Sequence, residues 1–313
     1  MAILTCTPVF QERLWGGRKL ETSFGYSIPK GRIGECWGIS AHPNGMSVIE
    51  SGEFAGTTLA TLWEENRELF GAYTLDEFPL LIKLLDAADD LSVQVHPNDE
   101  EAMRLEGERY GKTECWYVVE AEEGAELILG HSATTKEELS NKVENGEWDD
   151  LLRRQPVKAG DFVFVPSGTI HAIGKGIVIL ETQQSSDTTY RVYDFDRTDD
   201  EGKTRELHLN QAIEVTTVPD CPTLVTPTSK NVSGGTVQTL VETEEFNVYR
   251  MDVRDGFAVH PLDRFRLISV LDGEGTLDGV SLQKGDHVVV TVTNQPLQVS
   301  GSMEWIVSDR MTV

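Results

Sequence analysis

The chain has 313 residues, 39% of them hydrophobic, enough for one large domain or two ordinary ones with packed cores. Its formal net charge of −25 opposes general affinity for nucleic acid or an anionic membrane, and both are set aside as partners. No apolar run approaches the roughly 18 residues that span a bilayer, and residues 1–10 lack a basic flank ahead of an apolar stretch, so the sequence reads as neither membrane-inserted nor exported.

In chain order, residues 58–70 carry Leu59, Leu62, Trp63, Leu69 and Phe70 near one helical face, and 91–95 reads as a strand. A short helix over 98–105 precedes strands at 115–120 and 126–129; a second over 136–143 precedes strands at 161–165 and 176–182. Residues 218–236, rich in Pro, Thr, Ser and Gly, read as a connector, with strands beyond it at 246–253, 265–271, 287–292 and 304–307. The boundary is placed there, giving a mixed domain over 1–220 and a β domain over 221–313. Lys158-Ala159-Gly160-Asp161 and Lys284-Gly285-Asp286 each open an apolar run, a loose repeat that predicts two duplicated antiparallel barrels. Cys6, Cys36, Cys115 and Cys221 show no C-x-x-C spacing and read as buried small hydrophobes in a reducing cytoplasm.

Gln94 and His96 are two apart in a strand, so their side chains leave one face while Val93 and Val95 leave the other. Lys112 and Glu114 repeat this spacing, and two neighbouring strands are expected to bring these groups together. His171 follows Gly160-x5-Pro166-x-Gly168-x2, where Pro166-Ser167-Gly168 reads as a tight turn into the next strand. Composition alone predicts roughly 0.002 matches to that four-position motif. Gln94, His96, Glu114 and His171 together offer an amide oxygen, a carboxylate and two imidazoles, a set that suits Zn²⁺ and, less selectively, Mn²⁺, Fe²⁺ or Co²⁺. The lack of cysteine ligands points to a catalytic rather than a structural site. Because the whole molecule repels anions, an anionic substrate would need cationic side chains inside a cleft.

The spans Pro8-x6-Trp15-Gly16-Gly17, Gly34-Glu35-Cys36-Trp37, Leu80-Leu81-Ile82-Lys83, Leu91-Ser92-Val93-Gln94-Val95-His96-Pro97, Lys112-Thr113-Glu114 and Tyr190-Arg191-Val192-Tyr193-Asp194-Phe195-Asp196-Arg197 resemble the short bacterial form of type I mannose-6-phosphate isomerases over essentially the full chain. The resemblance implies a mainly β, double cupin fold with a few helices in the N-terminal half, one Zn²⁺, and interconversion of mannose 6-phosphate and fructose 6-phosphate. By motif it makes His96, Glu114 and His171 metal ligands, Gln94 the fourth, and Arg191 catalytic. In the second barrel Thr291 replaces the motif proline and Pro296 stands where a histidine is needed, so a metal-free C-terminal barrel is expected.

An aldose–ketose isomerase moves a proton between C1 and C2 through a cis-enediol and must stabilise the oxygen charge that develops. Arg191 stays protonated at any working pH and is read as a stabiliser of that charge or as a phosphate clamp. Lys112 is a proton carrier or substrate contact, and Lys83 and Asp187 are further substrate-binding candidates. Lys112, Asp187 and a metal-held water remain open as the base. The competing readings are a cupin Fe or Mn dioxygenase and a non-enzymatic sugar-binding cupin.

Overall fold

A computed structural model describes residues 3–199, 201–220, 225–254 and 256–311. Cys221 lies outside them. Strands dominate, arranged in three sheets whose pairings are antiparallel. One six-stranded sheet runs Phe162–Val165, Glu114–Ala121, Ile177–Gln184, Leu80–Ala87, Val9–Gly17, Ile33–Ile39. A five-stranded sheet runs Tyr190–Tyr193, Val93–Val95, His171–Ile173, Glu126–His131, Leu152–Pro156. The C-terminal half supplies eight strands of a ten-stranded sheet, completed by Ile3–Thr7, which pairs with His287–Val290, and by Val48–Ile49, which pairs with Ile3–Thr7.

Leu80–Ala87 and Ile177–Gln184 are buried along their whole length, which is why they read as continuous apolar runs. The period of two divides their side chains between cores. Leu80, Ile82, Leu84, Val178 and Leu180 pack toward Leu267, Val289 and Ile306 of the ten-stranded sheet. Leu85, Ile177 and Ile179 pack with Trp116 against Leu127 and Ile173 of the five-stranded sheet and against Leu91 just before it, so the six- and five-stranded sheets face each other as the N-terminal barrel. Lys83 shares parity with Leu85, and Glu181 with Ile179. Both charges are thereby delivered to the barrel interior rather than to solvent.

The outer face of the five-stranded sheet, with Val93 and Val95, is covered by the helices Lys136–Glu144 and Leu209–Val215. Three helices begin where their caps predict: Thr58, Asn98 and Thr135 each accept a hydrogen bond from the backbone N–H three residues on, Asn98 in a capping box with Glu101. Leu209–Val215 was not expected, and its N-cap, His208, makes no side-chain cap hydrogen bond. Residues 228–236 also differ from the expected connector: Thr228–Val232 and Gly235–Glu242 form a hairpin at the sheet edge. Its Thr, Ser and Gly content suits an exposed edge as well as a loop.

His287 is buried in the C-terminal sheet. Tyr26 Oη donates to the Gly285 carbonyl, so it accepts from His287 Nε2 at 3.0 Å, and Nδ1 accepts from Ser269 Oγ at 2.7 Å. The neutral ring is fully satisfied, and burial lowers its pKa to about 4. A histidine with a folded pKa below its unfolded value binds fewer protons when native, so its stability contribution is intact above about pH 6.5 and is lost as pH falls toward 4. His287→Gln is expected to remove about 3 kcal/mol of the stability change between those pH values, read as the difference between wild-type and variant urea unfolding across the window.

Candidate active site

Gln94 lies opposite His171 on one neighbouring strand and opposite Arg191 on the other. One register row therefore turns all three side chains to the barrel interior, with His96 two residues beyond Gln94. The facing sheet supplies a second row, Trp37, Lys83, Glu181, Trp116, each opposite the next, with Glu114 two residues before Trp116. Glu114 thus meets Gln94 and His96 from the opposing sheet and not from a neighbouring strand. His96 and Glu114 can meet only because the barrel closes.

His96 Nε2 lies 3.7 Å from one oxygen of Glu114, and His171 Nε2 lies 3.4 Å from the other. All three residues are about 1% exposed. Each imidazole donates Nδ1–H to a backbone carbonyl, His96 to Thr188 at 2.9 Å and His171 to Thr169 at 2.9 Å. Both Nε2 lone pairs are left facing the cluster. The Pro166–Gly168 turn is found as expected, with Gly168 at φ +80° and its N–H bonded to the His96 carbonyl, which ties the two histidine segments together. Gln94 places its amide 3.4 Å from His171 Nε2, and a flip of that amide presents the oxygen instead.

Around this cluster lies a cavity of about 370 Å³ whose walls carry Lys83, Lys112, Arg191, Glu181 and Asp187. Lys112 bridges Glu114 and His96 Nε2, the latter at 3.2 Å, and sits 3.9 Å from Glu181. Lys83 is buried 3.6 Å from Glu181, with its ammonium 4.8 Å over the Trp37 ring, and does not reach solvent. Burial, reinforced by Lys112, holds His96 well below the usual imidazole range and His171 at about 4, so both rings are neutral donors. For Lys112 burial opposes the charge, but Glu114 and Glu181 outweigh it and its pKa rises. Burial and the neighbouring Glu114 raise Glu181.

Arg191 has no carboxylate within salt-bridge distance among the described residues. Nε donates to Ser92 Oγ at 3.3 Å and Nη1 to the Glu206 carbonyl at 2.9 Å. Asp194 is instead gripped by Arg197 and Arg205, and Asp187 accepts from Asn44 at 3.2 Å. Burial and Arg205 lower the Arg191 pKa, and the more distant charges of Asp194 and Glu206 offset this only in part.

Comparison with known proteins follows the same lines. A family model for the catalytic domain of type I phosphomannose isomerase matches residues 3–129, and one for the mannose-6-phosphate isomerase cupin domain matches 236–310. The chain is 51% identical to mannose-6-phosphate isomerase ManA of Bacillus subtilis (strain 168), with 96% of each chain covered. This chain belongs to the type I phosphomannose isomerase family. It is 50% identical to the mannose-6-phosphate isomerase of Streptococcus mutans, with 95% of each covered. Its fold matches the crystal structure of a mannose 6-phosphate isomerase from Bacillus subtilis with a TM-score of 0.96 at 45% identity, covering 99% of this chain and 100% of that one. A mutant phosphomannose isomerase from Salmonella typhimurium, 16% identical with a TM-score of 0.81, shares the fold.

In this member of the family the fold is the expected double cupin, and His96, Glu114 and His171 offer ligand atoms within 4.8 Å of one another. Two donors each about 2.0–2.1 Å from one ion at a tetrahedral angle stand about 3.3 Å apart, close to the 3.4 and 3.7 Å observed. Two neutral imidazoles oriented by carbonyls, with one carboxylate, are a fitting donor set for a divalent transition metal. Sequence reasoning did not single out Glu181, Arg13, Glu35 or Arg205. Glu181 left a signal, a carboxylate directly after the apolar run Ile177–Leu180. Glu35 accepts from the Trp37 indole two residues on at 2.7 Å and is bound by Arg13 at 2.9 and 3.0 Å, the latter contact existing only once the strands pair. Trp15 and Trp116 are both buried core and cavity wall.

Proposed function

We propose that the chain is a Zn²⁺-dependent aldose–ketose isomerase interconverting mannose 6-phosphate and fructose 6-phosphate through a cis-enediol. The observation that carries this reading is the buried His96–Glu114–His171 cluster opening on a cavity lined by Lys83, Lys112 and Arg191. The mannose-6-phosphate isomerase relatives agree with it. His96, Glu114 and His171, with Gln94 as fourth ligand, would hold the Zn²⁺, which would supply Lewis acidity for polarising the substrate carbonyl.

The chain's own groups complete the chemistry. Arg191 brings an unpaired guanidinium to the developing oxygen charge or to the phosphate. Lys112, beside the ligands, offers N–H donors to a substrate oxygen, and Lys83, shared with Glu181, adds positive charge deeper in the wall. Lys112 and Asp187 are the side chains placed to carry a proton. The apolar floor formed by Trp15, Leu85 and Trp116 excludes water from the reacting carbons. On the same reading the metal domain spans 1–220 and the metal-free one 221–313. A cytoplasmic setting agrees with the free, buried Cys6, Cys36 and Cys115, the first two with thiols pushed up to about 12 by burial. No helix among the described residues is long and apolar enough to cross a membrane.

A coupled assay of mannose 6-phosphate conversion is expected to show turnover with about one zinc per chain, loss to background after chelation and dialysis, and return on adding zinc. Full metal content without turnover would overturn the substrate assignment. Turnover that survives complete metal removal would overturn the metal assignment.

A further inference from the structure

The two Gly-Asp repeats open strands that pair in equal register. Val165, five residues after Gly160, lies opposite Glu114; Val290, five residues after Gly285, lies opposite Arg266. One strand further, Glu181 opposite Trp116 corresponds to Val307 opposite Ile268. Thr182 corresponds in the same way to Ser308, and these two hydroxyls meet at 2.8 Å where the barrels touch. The second barrel thus repeats the row that builds the active cavity, with its carboxylates exchanged: Glu114 becomes Arg266 and Glu181 becomes Val307.

That row again lines a cavity, here of about 540 Å³, within the range of about 300–1,000 Å³ typical of small-ligand pockets. Met251, Phe257, Ile268, Leu297 and Val307 make its walls apolar. No Asp or Glu lines it, in a chain that has 52 of them. One buried donor in its wall lacks a partner among the described residues: Trp305 is 1% exposed and its Nε1–H meets no acceptor. Beside it Arg266 is ion-paired through Nε with the buried Asp309 at 3.6 Å, a contact too long for a hydrogen bond. Buried N–H groups without acceptors are uncommon and call for one.

We propose that this cavity is a second ligand site, taking a small amphipathic carboxylate whose apolar body fills the barrel and whose headgroup accepts from Arg266 and the Trp305 indole. A sugar phosphate is a poor occupant, because its hydroxyls would face aliphatic walls and its second charge would add desolvation cost. Against the overall negative charge the attraction must be local, and a guanidinium with an oriented N–H supplies it. The site stands independently of the isomerase reading, since it uses none of that cavity's residues.

Calorimetric titration of the full chain with octanoate and with 1-octanol tests it. Octanoate is expected to bind saturably at about one per chain. Arg266→Gln should weaken octanoate about tenfold and leave 1-octanol within about twofold, which also reports an intact cavity. Trp305→Phe, which removes the N–H together with part of the ring, should weaken octanoate about threefold more than 1-octanol. Val237→Trp, filling the cavity from a half-buried position, should abolish both while isomerisation is retained. No saturable octanoate binding by the wild type, parallel losses of octanoate and 1-octanol in folded Arg266→Gln and Trp305→Phe, or octanoate binding that survives Val237→Trp would each overturn the proposal.

Discussion

Replacing His96 by alanine is expected to strip the metal to less than about a tenth of the wild-type content and to lower kcat/KM by three orders of magnitude or more, about 4 kcal/mol of transition-state stabilisation. The reason lies in how little else fills its role. His96 is about 1% exposed, its Nδ1 is committed to the Thr188 carbonyl, and its Nε2 faces Glu114 at 3.7 Å. Alanine removes a neutral donor without placing another atom nearby, and leaves Lys112 as the remaining neighbour of Glu114 on that side. The carboxylate is then paired with an ammonium and offers less to a metal. His96→Gln, which keeps a donor on the same strand face, should recover part of the metal content and part of the activity. Metal analysis and steady-state kinetics on one dialysed preparation check both. Wild-type turnover in the alanine variant after chelation would remove His96 from the mechanism.

The candidate cluster was legible because each piece obeys a local rule. Strand parity puts Gln94 and His96 on one face whatever the strand packs against, and a glycine turn at a set distance delivers His171. What local rules do not carry is which strands face each other. Glu114 does stand in the cluster with His96 and His171, but it reaches it from the opposing sheet and not, as expected, from a neighbouring strand. Lys83 shows the same limit: a lysine in an apolar run can extend to solvent or be buried, and Glu181 across the strand pair decides for burial. The second barrel repeats the lesson. Thr291 and Pro296 announce the missing metal motif, whereas the cavity behind it depends on side-chain volumes from strands far apart in sequence. Asp194, beside Arg191 in sequence, is claimed by Arg197 and Arg205, and only that competition leaves Arg191 unpaired.

Arg191→Lys turns that vacancy into a kinetic prediction. The guanidinium has five N–H donors, of which Nε and one on Nη1 are spent on Ser92 and the Glu206 carbonyl, so the fork is braced while donors remain for the cavity it lines. Lysine keeps the charge but has one compact ammonium at the end of a flexible stem. It cannot hold Ser92, Glu206 and a substrate oxygen at once. If Arg191 stabilises charge that develops during proton transfer, kcat should fall about 100- to 1,000-fold, about 3–4 kcal/mol, with KM changed by less than about threefold. If it clamps the phosphate, the loss appears as a rise in KM of about tenfold or more with kcat preserved. The bracing favours the first outcome: a group fixed before substrate arrives needs no reorganisation when charge appears, and no carboxylate among the described residues stands within salt-bridge distance to neutralise it. Measuring kcat and KM for the lysine variant at saturating zinc separates the two roles.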